Sequence, residues 1–251
     1  MTFSSQDPSP AFNHAVLTDC DREPILIPGS IQPHGVLLVL QETDLRIIQV
    51  SENAEELLGI PSQDLLLSPL STILTKDSCL SFSSEDLEAA HLNAHNSLYI
   101  TTRSKNGLHS WVGILHRSQG LILLELEKAP ERFPPLNTNF FRQAKMLLSK
   151  IQSFGTLENL FETSTRKVKG LTGFERVMIY RFNEGGEGEV IAETKEEHLE
   201  PFLGLHYPAS DIPQQARVLY EKSWSRIIPN VSYEPSPLLP AANPLLDAPP
   251  T

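Results

Sequence analysis

The chain has 251 residues, 40% of them hydrophobic, which is enough for one large domain or two ordinary ones. Twenty Lys+Arg against 31 Asp+Glu give a net charge of −11, which argues against a nucleic-acid surface because that needs a basic patch or stripe. No apolar run approaches the roughly 20 residues of a membrane span, the start lacks a signal-peptide pattern, and two cysteines make no disulfide framework, so the chain reads as cytoplasmic with no membrane partner.

Residues 1–16 are polar and aperiodic, a flexible N-terminus. Cys20 to Gly35, CDREPILIPGSIQPHG, follows with Pro24, Pro28, Pro33, Gly29 and Gly35. Proline fixes φ and pushes its predecessor to extended backbone, so the spacing predicts a stiff, irregular path that presents a thiol. Acidic Asp19, Asp21 and Glu23 disfavour the Cys20 thiolate, with Arg22 as a partial offset. That suits a slow, one-time addition to a ligand already in place better than turnover chemistry. Read by itself, the arm could equally lead into a first strand and do nothing else.

Val36–Leu40 and Leu45–Val50 read as a strand pair joined by a short turn. Ser51 is expected to cap a short helix that ends at Gly59, with Pro61 as a stop. The Ser- and Leu-rich stretch 62–97 has its best helix signature at Ser84–Ala90. Three β-rich runs then extend to Glu127, with Asn106-Gly107 as a hairpin turn. Together these predict an α+β domain over 17–130, with a Pro-rich linker at 128–135.

Two helices are expected next. Phe140, Phe141, Ala144, Leu147, Leu148 and Ile151 form one apolar face; Thr156 caps the second helix, which runs through Leu157, Leu160, Phe161 and Val168 to Gly170. Their apolar face packs on the chain's own sheet or on the same helices of a second copy, making a homodimer through 138–169. FERVMIYRF and EVIAETK are strands around an EGGEG turn, and a helix follows from Asp211, with Asp211 and Gln214 as a capping box and Pro213 in its first turn. Residues 229–250 contain seven prolines and offer no usable helix or strand. His91 and His95 read as solvated, no metal site is expected, and no nucleophile–base pair, Walker motif or other catalytic signature supports an enzyme.

DCDREPILIPGSIQPHG and PASDIPQQARVLY, in this order and around these segments, resemble the bacterial phytochromes. One departure is Leu26, where such sequences more often carry His. The resemblance implies a PAS domain at 17–130 with a chromophore-attachment arm, then the N-terminal, incomplete part of a GAF domain at 131–251, each an antiparallel sheet with flanking helices. It also implies that the arm threads a GAF loop, here the stretch after Pro229.

The implied function is red/far-red light reception through a bilin, biliverdin IXα or alternatively phycocyanobilin, held by a thioether at Cys20. By the same resemblance Asp211, Ile212 and Pro213 lie against the chromophore; Tyr180, Met178, Phe202 and Tyr207 line its pocket; Tyr220 and Arg226 meet its propionates. Without a ligand, all of these serve equally well as core, cap or solvated residues. Photoisomerisation would signal through an output domain, commonly a histidine kinase acting on a response regulator, that this stretch does not contain. Photochromic binding by this stretch alone is expected to be impaired. The alternatives are a PAS/GAF interaction or non-bilin ligand module without photochemistry, and a thiol redox sensor at Cys20.

Overall fold

The computed structural model describes residues 29–80, 97–105, 107–130, 155–223 and 225–245. Cys20 and the helices expected at 84–90 and 140–151 lie outside them. The chain divides into two compact units, the first containing residues 24–133 and 226–251, the second 134–225.

The first unit is one antiparallel sheet with short helices. Its elements are β1 (Ser30–Ile31), β2 (Gly35–Gln41), β3 (Ile47–Ser51), α1 (Ala54–Leu58), α2 (Ser62–Leu65), a 3-10 turn (Leu70–Thr72), α3 (Lys76–Leu80), β4 (Ser97–Ser104), β5 (Gly107–Ser118) and β6 (Leu121–Lys128). A tenth strand of the chain, Ser236–Leu239, also joins this sheet, whose order is β1, Ser236–Leu239, β3, β2, β6, β5, β4. Alternation decides the faces. Val36, Leu38 and Leu40 of β2 join Ile47, Val50, Ile122, Leu124, Leu126 and Trp111 in a core roofed by Ala54, Leu58, Leu65 and Leu70. The intervening Leu37 and Val39 join Ile48, Leu121 and Leu238 in a second buried cluster. Burial on both faces accounts for the uninterrupted apolar run in β2.

The expected hairpin is present, with Ser104 opposite Gly107. At the β4 edge, Thr75 N donates to Thr101 O (3.0 Å), Arg103 N to Ile73 O (2.8 Å) and Thr101 N to Ser78 Oγ (2.7 Å), so the preceding segment blunts an otherwise open edge. Gly59 stands at the end of α1 as expected, whereas Ser51 does not cap that helix. Ser51 closes β3, and its Oγ accepts from Leu37 N at 3.1 Å; the N-cap position belongs to Asn53.

The Pro-rich tail is the main correction. Ser236–Leu239 is a strand, pairing Ser30↔Pro237 on one side and Leu238↔Ser51 on the other. Glu52 N donates to Pro237 O, Asn53 N to Ser236 Oγ and Gln49 Nε2 to Pro240 O, so side chains and backbone of the first unit receive the segment. Each ladder is only two residue pairs long, so the missing proline N–H interrupts little.

The second unit has α4 (Leu157–Thr172), β7 (Arg176–Phe182), β8 (Gly188–Lys195), β9 (His206–Tyr207), a 3-10 turn (Ala209–Asp211) and α5 (Gln214–Lys222); Ser236–Leu239 is thus β10. Its sheet order is β7, β8, β9, all antiparallel. Thr156 caps α4 as expected, accepting from Asn159 N. Gly170 is not the terminating glycine: it lies inside the helix, and Gly173 (φ 71) takes the left-handed cap that disfavours other residues. The helix is held to the sheet by a Thr165–Thr194 hydroxyl contact of 2.8 Å and by the Lys169–Glu196 ion pair.

Candidate functional site

The site is built from the β7–β8 hairpin outward. The register of the two strands shifts between Ile179 and Tyr180, and Gly188 sits opposite both Phe182 and Tyr207. The Tyr180 ring lies on Gly188 so closely that a Cβ there would stand 1.9 Å from its Cζ, which makes glycine a steric requirement. Tyr180 meets Phe182 edge-on at 5.0 Å between ring centroids and Tyr207 at 5.9 Å. Desolvation, then the Asp211 carboxylate, then Tyr207 hold the Tyr180 hydroxyl above the usual tyrosine range. Tyr180, Tyr207 and Asp211, three of the expected site residues, are therefore neighbours.

Asp211 does not cap α5. It ends the 3-10 turn, the N-cap position is Pro213, and no side chain bonds the helix start. The turn is fixed instead by Arg217, whose guanidinium donates to Ala209 O at 3.0 Å and also to Ile212 O. Among the described residues the Asp211 carboxylate has no hydrogen-bond or ion-pair partner. Ile212 and Pro213 are half-buried at the start of α5.

Phe202 is held from below. Arg176 lies 3.6 Å from the centre of its ring and donates to Glu200 O at 2.6 Å. Glu193 Oε2 accepts from Phe202 N at 2.9 Å and Leu203 N at 3.1 Å, and Glu193 Oε1 faces Arg176 Nε at 3.3 Å. Met178, opposite Glu193 in the ladder, is 43% exposed. Tyr220, 48% exposed, lines an open cavity of about 600 Å³ with Phe182, Gly186, Arg217 and Val218. Arg226 belongs to the first unit, where it lines a crevice of about 320 Å³ with Gln32, His34, Glu127 and Tyr233. Cys20 lies outside the described residues.

Several contributors had no expectation attached to them, among them Phe182, Arg217, Gly188, Arg176 and Glu193. Gly188 reads in sequence as part of the EGGEG turn but opens β8. Arg176 and Glu193 alternate with apolar residues and so look solvent-facing; only the Met178↔Glu193 register puts them diagonally on one face. Among the described residues there is no cluster of three metal-ligating side chains, and no helix long and apolar enough to cross a membrane.

A protein-family profile described as PAS fold matches residues 20–129. The chain is 45% identical over 233 residues to "Cyanobacterial phytochrome B" of a Nostoc species, covering 93% of this chain and 31% of that protein. It is 40% identical over 241 residues to "Bacteriophytochrome" of Xanthomonas campestris, covering 96% of this chain and 37% of that protein. The chain thus spans about a third of the length of these curated relatives. Among solved structures, the chromophore binding domain of a Stigmatella aurantiaca phytochrome superposes with a TM-score of 0.81 at 43% identity, covering 87% of this chain and 72% of that one. Identity at this level, over 72% of that chromophore binding domain, places the chain in the phytochrome family.

Proposed function

We propose that this chain is the sensory part of a light receptor that binds a linear tetrapyrrole beside Tyr180, Tyr207 and Asp211. The observation that carries this reading is the Asp211 carboxylate: it opens no helix, has no partner among the described residues, and lies near enough to Tyr180 to oppose its ionisation. A protonated tetrapyrrole buried among apolar groups presents N–H donors and a positive charge, and both need an acceptor of negative potential. Tyr180, Phe182, Tyr207 and Phe202 supply flat apolar surface for a conjugated plane, with Met178, Ile212 and Pro213 beside them. These residues fit the group.

Its propionates call for hydroxyl or guanidinium donors, the roles assigned to Tyr220 and Arg226. Biliverdin IXα is the bilin proposed, with phycocyanobilin second, since the attachment cysteine precedes the first sheet. Attachment at Cys20 adds the thiol across a vinyl C=C bond: sulfur bonds one carbon, the thiol hydrogen goes to the other, and no oxidant is consumed. Photoisomerisation of the bound bilin would be passed to a histidine kinase or other output. Pairing of two copies through 138–169 is supported by the exposed Leu157 and Val168 on α4. A cytoplasmic location belongs to the same proposal.

The test mixes purified protein with biliverdin. The expected result is a red absorption band, with zinc-induced fluorescence on a denaturing gel that disappears in Cys20→Ala. Absence of any band, or a band whose covalent fraction ignores Cys20→Ala, would favour a PAS/GAF module without this photochemistry.

A further inference from the structure

Resting on the bilin site just proposed, we infer that Arg176 and Glu193 are positioning residues for it: a buried ion pair that sets the loop carrying Phe202, and through it one wall of the chromophore pocket. The Glu193 side chain is 4% exposed and that of Arg176 is 17% exposed. Burying a carboxylate this far is costly unless its lone pairs are used. Here one oxygen takes two consecutive backbone N–H groups, Phe202 and Leu203, while the other accepts no hydrogen bond and is compensated by the charge of the guanidinium alone, at 3.3 Å from Nε.

The rest of the guanidinium does two further things. It fixes the loop two residues earlier, through Glu200 O, and its central carbon lies over the Phe202 ring. Backbone on both sides of Phe202 and the ring itself are thus held by one charge pair projecting from β7 and β8. A loop that only needed to be closed would be served by backbone bonds such as Leu205 N to Phe202 O, which is also present at 2.9 Å. The added hardware acts at the one aromatic residue of the loop. Lysine cannot replace Arg176, because a point ammonium lacks both the flat face and the fork of donors.

The experiment compares unsubstituted protein with Glu193→Ala, Glu193→Gln and Arg176→Lys, in two readouts. Amide hydrogen exchange at Phe202 and Leu203, without bilin, should accelerate most in Glu193→Ala and less in Glu193→Gln, which keeps an acceptor. Formation of the biliverdin adduct should slow about tenfold or more in Glu193→Ala and Arg176→Lys, with a broadened band, because displacing a bound group by fractions of an ångström costs rate on this scale. Glu193→Gln should recover part of the rate.

Faster exchange with an unchanged band and unchanged adduct rate would overturn the inference, leaving the pair a loop fastener with no part in the site. Unchanged exchange would overturn it as well. If the unsubstituted protein takes up no bilin, the underlying reading fails before any variant is compared, so the two failures are told apart. Should Glu193→Ala not fold, Glu193→Gln and Arg176→Lys carry the same two readouts.

Discussion

The two units solve the problem of burying a sheet in opposite ways. In the first, β2 is apolar on both faces, and Trp111 and a shell of leucines and isoleucines close a buried core, with the exposed apolar side chains outside it, at Leu67, Tyr99 and Leu108 and in the segment from Ile227 to Leu245. In the second, the buried side chains on its sheet and helix include, among the described residues, Val190, Ala192, Thr165 and Glu193, while Met178, Phe182, Leu203, Leu205, Val218 and Tyr220 are exposed. The first unit is stabilised by its own hydrocarbon. The second keeps aromatic and apolar side chains in reach of solvent, arranged by charged pairs and one glycine.

The contrast is sharpest in what single substitutions should do. Trp111 is 2% exposed and its Nε1 donates to Thr102 Oγ1 at 2.8 Å in the buried core. Trp111→Ala should cost about 3–5 kcal/mol in urea unfolding; a loss below about 1 kcal/mol would mean that the first core is far looser than its packing indicates. Gly188→Ala puts a methyl where the Tyr180 ring lies and should cost about 1–3 kcal/mol by overpacking. Its more telling signature is spectroscopic. Displaced from Asp211 and Tyr207, Tyr180 should ionise closer to 10.0, the value it now exceeds, and an absorbance titration that shows no change would detach Gly188 from the site.

The smallest effect is expected at His116, whose ring is held protonated above 6.5 by its hydrogen bond with Glu125, against the opposing effect of burial. A folded-state value above the unfolded one favours the folded chain below 6.5 and loses that contribution as pH rises through the folded value. With the side chain 50% exposed the contribution is only about a few tenths of a kcal/mol. Glu125→Gln should return the His116 titration, followed by NMR, to the ordinary histidine range.

Local signals were legible in the sequence wherever the structure depends on neighbours in the chain. The β2–β3 pair, the hairpin at Gly107, the Thr156 cap and the β7 and β8 strands all follow from alternation, turn chemistry or capping preference. The errors have a common cause in partners distant along the chain. Ser51 has the chemistry of a cap but is spent on Leu37 N; Asp211 stands at the right spacing for a capping box, yet Pro213 takes the cap position. β10 has no alternation to read, because two short ladders between prolines are enough to bind it. Of the site, the aromatic and PASDIP residues were legible through resemblance. Arg176, Glu193 and Gly188 were not, since strand register rather than residue type brings them there.

β10 has a consequence for how the molecule is made. Its berth between β1 and β3 is synthesised early, while the strand that fills it emerges some 185 residues after Ser51, once the whole second unit has left the ribosome. Until then the growing chain carries a sheet with a vacant lane, and closing that lane is a long-range event of the kind that slows folding. Completion of that unit is therefore deferred until the second unit has been translated, so that a nascent chain interrupted before Ser236 would carry the lane still open.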